Sequence, residues 1–162
     1  MKVKSTFELF DYTFFPHPFV SQIISGHLTI EFLLNKLLVI SDPTTNWKKK
    51  KLRHAQLIEL NHQKKHLTDA QAKILFKINQ MRNKFAHDIA YTPSISELKT
   101  LFEDSSEAFS DITDGIYDGL NELREAKKIS DLSEFFFPEL FVQISYDLHE
   151  IYQEYGGSLD TF

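Results

Sequence analysis

The sequence predicts an all-α protein, a bundle of about five or six helices. Three observations carry this. Apolar residues recur at three- and four-residue spacing in several long segments, as in Ile30, Leu33, Leu34, Leu37 and Leu38. No stretch of useful length alternates apolar with polar residues, as a half-buried strand would. Turn chemistry separates the periodic segments, and no internal repeat is present. At 162 residues and 42% hydrophobic content, residues 1–162 are expected to form a single domain with one core.

Residues 1–20 are rich in rings: Phe7, Phe10, Tyr12, Phe14, Phe15 and Phe19. Pro16 and Pro18 break a helix there, so this segment is read as an aromatic arm packed on the bundle. A base-stacking surface is the other use of such rings. Ser21 to Ile40 is the most regular helix. It carries His27, Glu31, Asn35 and Lys36, too many polar groups for a bilayer span. Ser41 to Asn46 has loop chemistry. Trp47 to about Asn61 is read as a shorter helix that opens on Lys48, Lys49, Lys50 and Lys51, with Arg53 following.

His62 and His66 stand four residues apart with His54 nearby, a spacing that can hold zinc. No carboxylate completes the set locally, so they are read as exposed histidines in a turn, and no metal or cofactor is expected. Thr68 with Asp69 marks the start of the next helix, which runs to about His87. Residues 94–162 are expected to add acidic C-terminal helices. Ser94 with Glu97 resembles a capping box. Phe109, Ile112, Ile116, Leu120 and Leu123 form a stripe containing Gly115 and Gly119, read as a close helix crossing or a bend. A last helix is predicted from about Pro138 to Tyr155, ended by Gly156 and Gly157.

Charge is unevenly spread. The chain has a net charge of −5. Residues 1–47 hold 3 basic and 4 acidic residues, net −1. Residues 48–88 hold 11 basic and 3 acidic residues, net +8. Residues 89–162 hold 4 basic and 16 acidic residues, net −12. A positive central segment suits a polyanionic partner, and the acidic tail suits a basic one. Cysteine is absent, which excludes disulfides, thiol catalysis and Cys-type zinc sites and is compatible with the cytoplasm. The N-terminus lacks the apolar run of a signal peptide, and no membrane partner is expected.

The positive segment ends on Met81-Arg82-Asn83-Lys84-Phe85-Ala86-His87-Asp88. Ile74, Ile78, Met81 and Phe85 give one apolar helix stripe. Asn79, Arg82, Asn83, Ala86 and His87 fall on a second arc of roughly 140°, counted at about 100° per residue. That arc has the width of a packing face yet is mostly polar, so a second subunit or a ligand is expected against it.

Arg82 and His87, separated by four residues with Asn83 after the arginine, resemble the signature of the HEPN superfamily. The stretch Gly26 to Leu38 is similar to an early helix of that superfamily. The layout, with a long helical tail after the motif, resembles its mannitol-repressor-like branch. The resemblance covers about residues 20 to 90. It implies a homodimer through the motif helix, with two arginines and two histidines in one cleft. It also implies metal-independent RNA cleavage and a role as a toxin or phage-defence effector, with a cognate antitoxin or regulatory protein as partner.

The residue types fit that chemistry. RNA supplies its 2′-hydroxyl as nucleophile. Histidine moves protons near neutral pH, and the arginine fork stays charged and binds two phosphate oxygens. Arg82, Asn83 and His87 are therefore the expected catalytic residues, with Asn83 orienting His87 or holding a phosphate oxygen. Lys84, Lys48, Lys49, Lys50, Lys51 and Arg53 are the expected RNA contacts, although lysine runs also serve as plain solvated faces. A structural alternative has Arg82 and His87 capping the helix, pairing with Glu31, or forming a polar dimer seam. The alternative function is a non-catalytic helical regulator, as in the mannitol-repressor-like branch, binding nucleic acid or a protein.

Overall fold

Pro18 opens the first helix rather than breaking it. Its fixed φ and missing N–H cost nothing at a first helical position. In a computed structural model, Ser5 and residues 18–158 are described. They form six α-helices and no strand: α1 (Pro18–Ser41), α2 (His54–Gln63), α3 (Asp69–His87), α4 (Ile95–Ala108), α5 (Gly115–Glu125) and α6 (Phe136–Glu154). The expected all-α bundle is what the chain forms. The arm residues Phe7, Phe10, Tyr12, Phe14 and Phe15 lie outside the described residues. Phe19 belongs to α1, where it is buried against Phe136 and Phe137.

α1 is the centre. It packs along α6 and also meets α2 and α3, while α4 and α5 close the far side between α3 and α6. By length and composition Phe19–Ser41 reaches what a membrane span needs, with a mean hydropathy of 1.6, contrary to the reading of its polar residues as too many. Its stripe Ile23, Ile30, Leu34 and Leu37 is wholly buried among its neighbours, as in a core helix. Gly26 allows α6 to approach, because a Cβ there would run into the Phe141 ring. Gly119 does the same for α5 against Phe102 of α4, so the expected close crossing is real at that position.

Two predicted helices are broken. Trp47–Lys50 is a 3-10 turn, and Lys51 takes a left-handed φ of 45° before the chain extends through Arg53 into α2. Trp47 fixes this turn by donating from its indole to Asp42 O at 3.0 Å. The stripe read through Phe109 to Leu123 is also split. Ser110 is held by the Asp147 carboxylate of α6, Asp114 adopts a φ of 57°, and Asp111 caps α5 by accepting from Ile116 and Tyr117 N–H. Ile112, counted in that stripe, is 69% exposed.

α6 begins two residues earlier than expected, at Phe136, with Phe136 and Phe137 buried in its first turn. Pro138 is tolerated there because first-turn N–H groups have no intrahelical acceptor. At the other end, Gly156 N–H bonds Gln153 O and Gly157 N–H bonds Tyr152 O, the paired closure that a left-handed glycine permits.

Candidate functional site

α3 positions the motif. Thr68 caps it, accepting from Gln71 N–H at 3.2 Å, while Gln71 Oε1 accepts from Thr68 N–H at 3.0 Å. Ile74, Ile78, Met81 and Phe85 are buried, as their spacing predicts. The other arc stays open: Asn79, Arg82 and Asn83 are half-buried, Ala86 and His87 exposed. The helix ends at His87, and Asp88 turns the chain by accepting from Ala90 N–H at 3.0 Å.

Arg82 Nη1 donates to Asn83 Oδ1 at 3.1 Å, so Asn83 orients the arginine rather than His87. Among the described residues no ion pair holds Arg82 and no hydrogen bond holds the His87 ring. The pairing of either with Glu31 is not formed. Glu31 Oε2 instead faces His54 Nδ1 at 3.5 Å.

Behind the arginine lies a group that sequence reasoning did not assemble. His27 of α1 is buried, and its Nε2 lies 3.3 Å from Asn79 Oδ1 on α3. His54, the first residue of α2, stacks on His27 with ring centroids 3.7 Å apart. Burial pushes the His54 pKa down to about 3, with His27 and the Arg82 guanidinium adding to the effect. Burial also lowers His27; Arg82 acts in the same direction, while the Asn79 bond and Glu31 oppose it. Both imidazoles are therefore neutral near pH 7. The ligand atoms of His27, Glu31 and His54 all lie within 4.8 Å of one another, close enough for these three to hold a metal. The spacing of His27 and Glu31, one helical turn apart, was visible in the sequence. The approach of His54 from another helix was not.

The expected RNA contacts have different surroundings. Lys84 Nζ lies 2.7 Å from Glu97 Oε1 of α4, and Tyr91 donates to the same oxygen at 3.0 Å. Burial raises the Glu97 pKa, but the Lys84 and Tyr91 hydrogen bonds outweigh it and leave the carboxyl below its ordinary range. Lys50 sits over the Trp47 ring, 4.3 Å from its centroid. Lys49, Lys51 and Arg53 are exposed. For Lys48 the described structure gives the backbone alone.

His62 and His66 do not form a pair. His62 Nε2 meets Asp69 Oδ1 at 2.7 Å, and Asp69 is the nearby carboxylate that the sequence reading did not connect to it. His66 is buried rather than exposed, its Nδ1 bonded to Asn61 Oδ1 at 2.7 Å. On the side of α1 away from His27, a mainly apolar groove of about 800 Å³ runs along α6 past Thr29, Phe32, Val142 and Tyr146. No pocket of this kind was legible in the sequence.

Comparison of the chain with models of known families, with curated proteins and with solved structures finds no match.

Proposed function

We propose that this chain is a dimeric, metal-independent endoribonuclease of the HEPN type, acting as a toxin or phage-defence effector. The observation that carries the reading is the open state of the motif arc. Arg82 is oriented by Asn83 and, among the described residues, paired with no carboxylate, and His87 stands exposed five residues on. The pairing with Glu31, one structural use of these groups, is not made, since Glu31 faces His54.

The chemistry follows from the side chains. His87 takes the proton from the ribose 2′-hydroxyl, and the oxygen attacks the adjacent phosphorus. Arg82 holds the non-bridging oxygens as negative charge builds. His87 of the partner subunit returns a proton to the leaving 5′-oxygen. The products are a 2′,3′-cyclic phosphate and a 5′-hydroxyl. One chain supplies one such histidine, so the face-to-face dimer is part of the reading. Ile24, Leu28 and Phe32 support it: they form an exposed apolar row on α1, roughly 80° around the helix from His27 and Glu31. Such a row suits the rim of an interface between two copies.

A non-catalytic helical regulator is the second reading. It is favoured by the tail: residues 89–162 carry net −12, and α4 packs directly on the motif helix, a surface suited to a basic protein partner.

Cleavage of a labelled structured RNA in EDTA separates the two. Cleavage by the wild type, lost in folded Arg82→Ala and His87→Ala, supports the nuclease. Equal cleavage by all three sinks the site assignment. Absence of cleavage by folded wild-type dimers favours the regulator.

A further inference from the structure

His54 is 6% exposed, yet among the described residues neither of its ring nitrogens has a hydrogen-bond partner. Burying an imidazole without partners costs free energy, and native structures rarely leave such a group unsatisfied. Glu31 Oε2 lies 3.5 Å from His54 Nδ1, and His27 lies against the face of that ring. His27 Nε2 lies 3.3 Å from Asn79 Oδ1, and donation to that oxygen would leave Nδ1 as the lone pair. An outer carbonyl that fixes a histidine tautomer in this way is the usual support of a metal ligand.

We propose that His27, Glu31 and His54 form a binding site for a divalent transition-metal ion of the zinc class. Two neutral imidazole nitrogens and one carboxylate oxygen are a borderline donor set. It suits Zn²⁺ or its first-row neighbours rather than Mg²⁺ or Ca²⁺, which want oxygen alone. Burial and Arg82 keep the rings in the unprotonated form that coordinates. Arg82 also repels a cation, and the Glu31 charge offsets that repulsion. The rings now stand 28° apart, and seating one ion against both lone pairs would require that angle to open. The bound ion would clasp α1 to α2 beside the Asn79–Arg82 stretch of α3. It takes no part in the cleavage chemistry proposed above, so either idea can fail alone.

The test is zinc binding by the full chain after chelator treatment and dialysis, followed by calorimetry and by thermal melting with and without ZnCl₂. The wild type should bind one Zn²⁺ per chain at roughly micromolar affinity or better. Its melting temperature should rise with zinc. Glu31→Gln, at a half-exposed position, should weaken binding by about tenfold or more, and His54→Phe should abolish it. His62→Ala, on the separate pair with Asp69, should bind as the wild type does. Circular dichroism checks that each variant is helical. Equal affinity in the wild type and Glu31→Gln, or loss of binding in His62→Ala alone, would overturn the site.

Discussion

The Lys84 ammonium on α3 lies 2.7 Å from Glu97 Oε1 on α4, so the residue beside the motif asparagine is tied to the acidic tail. The pair is half-exposed, and such pairs are worth about 0.2–1 kcal/mol. Its pH dependence is the sharper observable. Glu97 is held below its ordinary range in the fold, so the stabilisation is present above the unfolded value of about 4.3. It is lost as pH falls through the lower, folded value. Lys84→Ala should therefore be less stable than the wild type at neutral pH, and the gap should close in acid. Urea midpoints at pH 7 and pH 3 check this. A gap that persists in acid would mean that Lys84 acts through packing on Tyr91 instead.

Gly26→Ala sets two effects against each other. Alanine gains about 1 kcal/mol over glycine inside a helix. Here a Cβ meets the Phe141 ring, and overpacking a tight contact costs about 1–3 kcal/mol. The clash should win, lowering the urea midpoint without changing its slope. A midpoint that rises would mean that Phe141 swings into the neighbouring groove at little cost.

The stripe of α3 was readable in the sequence because each of its apolar residues meets the same core. The split at Phe109 to Asp114 was not. There the apolar spacing continues through Ile112, and the break depends on Asp147, more than thirty residues away, which holds Ser110. The motif could be read because Arg82, Asn83 and His87 lie within two turns of one helix. The group His27, Glu31 and His54 spans two helices, and only their packing joins it. The burial of His66 was hidden for the same reason, since it depends on Asn61 and on the edge contact with Tyr155.

Arginine and lysine should differ at position 82. Lysine keeps the charge but loses the planar fork and the bond to Asn83. If Arg82 holds the phosphate, Arg82→Ala should cost about 10²–10³ in cleavage rate, as removal of one anion donor does. Arg82→Lys should recover only part of that. His87→Ala should cost about 10²–10⁴, the range for lost acid-base catalysis. Single-turnover RNA cleavage reads all three. Full activity in Arg82→Lys would show that charge alone is required.

Leu28→Glu tests the subunit contact. Leu28 is 56% exposed, so the change should leave the isolated fold intact. A charge facing a second copy should shift the protein from dimer to monomer and remove RNA cleavage with it. Sedimentation velocity and circular dichroism measure the two effects separately. A dimer that persists would place the interface elsewhere.

Asn61 is a networked polar group in the described core. It is fully buried and joins α1, α2 and the turn that follows α2. Its Nδ2 donates to Leu34 O on α1 at 3.1 Å and to Leu57 O on its own helix at 2.8 Å. Its Oδ1 accepts from His66 Nδ1 at 2.7 Å. Asn61→Leu keeps the volume but strands the His66 nitrogen in a site that is 5% exposed. A stranded buried group costs about 1–3 kcal/mol, and the lost helix-to-helix bond adds about 1. The expected loss is therefore about 2–4 kcal/mol by chemical denaturation. His66→Phe keeps the ring beside Tyr155 and removes the nitrogen that needs a partner. The double variant should then lose less than the sum of the two single changes, because no polar group is left stranded. Strict additivity would show that Asn61 acts on α1 alone and that the His66 bond contributes nothing to stability.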